Sequence, residues 1–194
     1  MPTLGPFSLE RMVNAVEKVK DRLLRASAAL NSAHVPYAVV GGNAVALWVS
    51  RVDESAVRNT RDVDVMIRRL DFEAAKSALA EAGFVHRHVA GMEAFLDGPD
   101  AKPRDGVQVI FANEKVREHE LLANPNVNDS EAIGQFRVIA LHSLVHIKLT
   151  AFRDKDRTHL RDLIDVGLLT TDELAKLPPE LAGRLQQLRD TPNG

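Results

Sequence analysis

The sequence predicts a mixed α/β sheet flanked by helices, and three observations carry that expectation. Two short runs rich in aromatic and β-branched residues, Tyr37–Val40 and Val63–Ile67, read as buried strands with a helix-forming stretch between them. Apolar residues recur at helical spacing near both ends of the chain, first through Val16, Val19 and Leu23 and later through Leu141, Leu144 and Val145. Between them lie further strand-sized runs separated by Gly, Pro and Asp clusters.

In chain order, Ser8 is positioned to cap a first helix from Leu9 to about His34, with Met12, Val16, Val19, Leu23, Ala26 and Leu30 on one stripe that packs on the sheet. Pro36 separates it from the strand Tyr37–Val40. Gly41 and Gly42 permit a tight turn and a close backbone approach, and Asn43 begins the next helix. After the strand Val63–Ile67 a helix runs from about Asp71 to Ala82 and ends at Gly83. Strands are expected at Phe84–Val89, Glu93–Leu96 and Val107–Ala112, joined by turns at 97–100 and 103–106. The stretch 114–131 is polar and irregular, and Phe136–Ala140 reads as a short strand. Helices follow at about Leu141–Phe152 and Asp156–Val166, the second closed by Gly167. A last helical segment begins near Thr171 and passes the break at Pro178-Pro179, and 190–194 reads as a frayed end. The organisation expected is an α/β domain over 1–140, with a C-terminal helical segment over 141–194 packed on it.

Composition narrows the function classes. The 194 residues are 45% hydrophobic and 27% charged with a formal net charge of -2, so a sizeable core is expected and no global basic field for a long nucleic acid. Without cysteine there is no disulfide, thiolate metal site or cysteine nucleophile. The N-terminus shows no basic region followed by an apolar run, and no stretch nears the roughly 20 apolar residues of a membrane span, so a cytoplasmic protein without a membrane partner is expected.

The chemistry concentrates around the first two strands. Gly41-Gly42 lets the backbone approach a phosphate, and the helix that follows aims its first N–H groups at the same place. Asp62 and Asp64 are two residues apart, so both carboxylates leave one face of the second strand, while Val63 and Val65 enter the core. Two adjacent carboxylates repel unless a cation joins them, and Mg²⁺ prefers such hard oxygens together with substrate phosphates.

The order Gly41-Gly42, helix, Arg58-x-Thr60-x-Asp62-x-Asp64 resembles the nucleotidyltransferase superfamily that includes DNA polymerase beta. More narrowly it resembles minimal nucleotidyltransferases of the AbiEii-like abortive-infection toxin type. The stretch from Lys148 through Ala151, Arg153, Lys155 and Asp156 to Asp162-Leu163 is similar to a Lys-x-x-Ala-x-Arg-x-Lys-Asp-x-x-Asp-Leu element of that family, with His159 where its last Asp would stand. The resemblance implies that Lys148 contacts nucleotide and that Asp156 supports the site. It also implies a third carboxylate on a later strand. The matching strand here is Val107–Ile110, whose inward alternate position holds Gln108, an amide that carries no charge and takes no proton. Asp105, Glu93 and Glu114 are the other acids within expected reach.

Other residues keep two readings open. Lys148 falls inside an apolar helical stripe, so its ammonium must snorkel to the edge or meet an anion, phosphate or carboxylate. Arg153, Arg157 and Arg161 either line one helix face towards phosphates or form a solvated face. His142 and His146 have the spacing of a zinc pair, and His86 and His88 share a strand face, but for both pairs surface or packing is the default.

The expected function is Mg²⁺- or Mn²⁺-dependent transfer of a nucleotidyl group from a nucleoside triphosphate to a hydroxyl. In it Asp62 and Asp64 hold metal, Gly41, Gly42 and Asn43 hold phosphates, and Arg58, Thr60 and Lys148 position the triphosphate, with Asp156 in support. The toxin-like resemblance implies RNA, such as tRNA, as an acceptor and an antitoxin protein as a partner; a protein side chain and a small molecule such as an aminoglycoside remain open as acceptors. The alternative is a non-catalytic nucleotide-binding module of the same fold, which Gln108 favours.

Overall fold

A computed structural model describes residues 9–89, 91–102 and 105–191; the Ser8 cap, the first two residues of the 103–106 turn and the last three residues lie outside them. Six α-helices and seven strands are described: α1 (Leu9–Ser32), β1 (Tyr37–Val40), α2 (Gly41–Ser50), β2 (Val63–Ile67), α3 (Phe72–Glu81), β3 (Val85–Val89), β4 (Met92–Leu96), β5 (Gly106–Phe111), β6 (Ser130–Ile133), β7 (Phe136–Ile139), α4 (Leu141–Ala151), α5 (Asp154–Asp165) and α6 (Pro179–Asp190). Short 3-10 turns at Glu54–Ala56, Arg69–Asp71 and Thr171–Lys176 join them.

The strands form one sheet in the order β3-β4-β5-β2-β1-β7-β6. β2 runs antiparallel to β1 and parallel to β5, and β1 runs parallel to β7, so the sheet is mixed as the sequence predicts. Its central strands are apolar because they are covered on both faces: Val39, Val63, Val65, Met66 and Val107 are fully buried. Burying each such side chain contributes on the order of 1.5–3 kcal/mol. α3 lies over β3, β4 and β5, where the Phe72 ring meets His86, Phe95 and Phe111 at centroid distances of 5.5, 6.1 and 5.6 Å.

The first helix departs from expectation in its first half. Val19, Leu23, Ala26 and Leu30 are buried, but Leu9, Met12, Val13 and Val16 are exposed. The stripe continues along a helix roughly 36 Å long at about 1.5 Å per residue, while the sheet and α3 cover only its second half. The strand β6 begins in the last two residues of the irregular stretch 114–131 and runs on to Ile133, and Gly134 turns it into β7. No described helix is long and apolar enough to cross a membrane.

Candidate functional site

β1 ends at Val40, and α2 starts at once with Gly41 in the left-handed region at φ +66°. A side chain is excluded there twice over, because a Cβ on Gly41 would stand 1.9 Å from Asp64 Oδ2. At Gly42 a Cβ would stand 2.8 Å from Thr60 Oγ1. The two glycines thus let the opening turn of α2, whose first N–H groups have no partner within the helix, press against β2 and the segment leading into it. The helix begins two residues before the expected Asn43. That side chain caps nothing; its Nδ2 donates to the Asp62 carbonyl at 2.7 Å and fixes the backbone that carries Asp62.

A cleft of about 770 Å³ opens over this junction. Gly41, Gly42, Thr60, Asp62, Asp64, Gln108, Lys148 and Asp156 all line it. Asp64 is half-buried at its floor, and burial pushes its carboxyl up to about 6 against the pull of Lys148 and Lys155, with Asp62 adding to the rise. Gln108 stands beside Asp64 in the parallel register of β2 and β5, so the two side chains share a sheet face.

The basic wall comes from the α4–α5 junction. Lys148 and Asp156 form a buried ion pair, Nζ to Oδ1 2.9 Å, with side chains 4% and 1% exposed. Asp156 also accepts from Arg153 Nε at 2.7 Å and from the Arg153 backbone N–H at 3.3 Å, which caps α5. Burial pulls the Lys148 ammonium below the ordinary lysine range despite Asp156 and Asp64 nearby. Burial pushes Asp156 the other way, but the Arg153 hydrogen bond and Lys148 outweigh it and leave the carboxyl below its usual value. Lys148 therefore meets a carboxylate, one of the two anions its sequence position demanded. His159, one turn beyond Asp156, is held down to about 4 by burial and by Lys148, so its imidazole is neutral near pH 7. Its buried Nδ1 has no partner among the described residues.

Several expected residues face elsewhere. Arg58 lies outside the cleft lining and binds Asp162 of α5 at 3.0 and 2.9 Å. Glu93 is bound by His86 at 2.7 Å and His88 at 2.9 Å; its strand partner is Val109, so it projects from the face opposite Gln108 and Asp64. Glu114 pairs with Arg69. Of the three arginines, Arg153 lines the cleft, Arg157 pairs with Asp154, and Arg161 donates to the Thr191 carbonyl. His142 and His146 gather no third ligand among the described residues.

Other lining residues escaped the sequence reading. Arg117, His119, Glu120 and Asn124 reach the cleft from the irregular stretch before β6, where no periodicity marks a side chain as inward. Lys155 also lines the cleft and, half exposed, places Nζ 3.7 Å from Asp62 Oδ2.

The donor set fits a divalent cation. Asp62 and Asp64 both line the cleft beside the opening turn of α2 and offer the hard oxygens such an ion prefers. Among the described residues no third acid or imidazole joins them, so remaining ligands would come from phosphate oxygens and water.

No protein-family model matches the sequence, and no curated protein matches it. Solved structures match in fold. An antigenic nucleotidyltransferase-like protein from Paracoccidioides brasiliensis superposes with a TM-score of 0.53 at 18% identity, over 97% of this chain and 92% of that one. The antibiotic-resistance factor ANT(2'')-Ia superposes with a TM-score of 0.50 at 12% identity, over 94% of this chain and 93% of that one. The architecture is a nucleotidyltransferase-like fold, a mixed sheet flanked by helices.

Proposed function

We propose that this chain is a metal-dependent nucleotidyltransferase that moves a nucleotidyl group from a nucleoside triphosphate to a hydroxyl acceptor. One observation carries this reading: Asp62 and Asp64 share the floor of a cleft with the Gly41-Gly42 opening of α2, under a wall of Lys148, Arg153 and Lys155. The likeness in fold to nucleotidyltransferase-like proteins supports it. Asp62 and Asp64 would hold Mg²⁺ or Mn²⁺, which when bound polarises the phosphate it touches and screens the charge of the leaving pyrophosphate.

The remaining work falls to the chain itself. N–H groups of Gly41 and Gly42 and the Thr60 hydroxyl orient phosphate oxygens. Lys148, with Asp156 and Arg153 fixing it, and Lys155 beside Asp62 offset triphosphate charge. Asn43 acts by fixing Asp62, and Arg58 by tying the segment before Thr60 to α5. We assign the activity to the cytoplasm, with RNA such as tRNA as acceptor in a toxin-like role and an antitoxin protein as partner. The second reading is a nucleotide-binding module without catalysis, and the amide of Gln108 beside Asp64 is the observation that favours it.

The test is incubation with labelled nucleoside triphosphates, Mg²⁺ or Mn²⁺, and RNA or cell extract. Transfer of label that disappears in the Asp62→Asn, Asp64→Asn variant is expected. Metal-dependent triphosphate binding without transfer would favour the module, and absence of binding would overturn both.

A further inference from the structure

We infer that the cleft holds one divalent cation rather than two, and that Gln108 sets this number. The inference rests on the nucleotide-binding reading above and adds the stoichiometry of its ion. Gln108 is the side chain next to Asp64 on the neighbouring strand, in register and on the same face. It lines the cleft, and its amide meets no hydrogen-bond partner among the described residues.

Two divalent ions about 3.5–4 Å apart repel strongly, and sites that hold such a pair gather several carboxylates around it. Here every other nearby acid is committed or displaced. Asp156 is engaged by Lys148 and Arg153, Glu114 by Arg69, and Glu93 by two histidines on the far face. Asp105 and Glu120 also line the cleft, but among the described residues neither joins Asp62 and Asp64 in a metal-holding cluster of three. Positive charge is already close as well, with Lys155 3.7 Å from Asp62 and with Lys148, Lys155 and Arg153 acting on Asp64. One divalent ion shared with a triphosphate balances this arrangement. A second would gain from the neighbouring strand only the neutral amide oxygen of Gln108, which offers a dipole where a carboxylate charge is needed.

Mn²⁺ titrated into an equimolar mixture of the protein and a nonhydrolysable nucleoside triphosphate tests this. Bound ions are counted by equilibrium dialysis against the analogue alone, and their spacing is read by electron paramagnetic resonance. One bound ion per chain with the resolved hyperfine spectrum of an isolated centre is expected. Gln108→Asp or Gln108→Glu, checked for folding by circular dichroism, gains a second ion and a spectrum broadened by exchange between neighbours. Two ions in the unsubstituted protein, or one ion in both folded acid variants, overturns the inference. Absence of any bound Mn²⁺ is a different result and removes the nucleotide reading along with it.

Discussion

The carboxylate of Asp64 occupies the space that a side chain on residue 41 would need: a Cβ on Gly41 would lie 1.9 Å from Asp64 Oδ2 and 2.8 Å from its Cγ. The Asp64 side chain is therefore set directly against the opening turn of α2. Gly41→Ala combines a left-handed backbone with this collision and should destabilise the fold by roughly 2–5 kcal/mol. Gly83→Ala is the matched control, since φ there is +87° and a Cβ would meet nothing within 4 Å. Urea denaturation of both variants separates backbone strain from the clash. Equal losses would show that Asp64 yields easily.

Asp64 also makes stability depend on pH. Its carboxyl is raised from 3.8 to about 6 in the fold. The stabilisation from the bound proton is thus complete below about pH 4 and is lost as pH rises through about 6. Asp64→Asn is independent of that proton, so in metal-free buffer it should be more stable than the unsubstituted protein at pH 8 by about 1–3 kcal/mol, with little difference at pH 4. Mg²⁺ should narrow the gap at pH 8. Thermal denaturation at both pH values checks this, and a gap independent of pH would mean that Asp64 titrates normally in the fold.

The parts of the candidate cleft legible in the sequence are those fixed by local spacing. Gly41, Gly42, Thr60, Asp62 and Asp64 lie within one strand–helix–strand unit, and the two-residue alternation places the acids and Gln108 directly. Lys148 was legible as a buried ammonium needing an anion, because helical periodicity put it in an apolar stripe. What stayed hidden depends on long-range partners. Arg58 meets Asp162 across 104 positions, and nothing local distinguishes that use of a guanidinium from phosphate binding. Asn43 resembles a helix cap, yet two glycines ahead of it start the helix first. Glu93 is placed on the wrong face by strand pairing that the sequence does not reveal, whereas β6 could have been found from the short Gly134-Gln135 link before β7.

The Arg58–Asp162 pair should contribute little to global stability and more to the site. Arg58 is 59% exposed and Asp162 12% exposed, so the coupling in a double-mutant cycle of Arg58→Ala and Asp162→Ala should be about 0.5–1 kcal/mol. Because the pair anchors the segment that carries Thr60 and Arg61, each single variant should weaken triphosphate binding by a similar factor, and the double variant should be no weaker than either. Additive losses in affinity would instead indicate that Arg58 touches phosphate itself.

Lys148 decides how the basic wall works. Its ammonium is spent on Asp156 at 2.9 Å, yet it retains two further donors and lies at the cleft. Lys148→Met keeps the apolar stem but leaves Asp156 buried with Arg153 as its one side-chain cation, which should cost on the order of 2–4 kcal/mol. Adding Asp156→Asn removes the uncompensated charge and should restore part of that loss. Affinity for a triphosphate is then measured on folded protein, well below the midpoint of thermal unfolding. A fall of about tenfold to a hundredfold is expected for Lys148→Met, since a charge-assisted contact in a partly desolvated site contributes about 1.5–3 kcal/mol. Lys155 cannot serve as the neutral control, because it lies 3.7 Å from Asp62. Lys76 can: it lies on α3 outside the cleft lining and pairs with Glu73, 3.6 Å away. If Lys148→Met lowers stability as expected but binds triphosphate as well as Lys76→Met does, Lys148 holds the α4–α5 junction together and contributes nothing to the nucleotide.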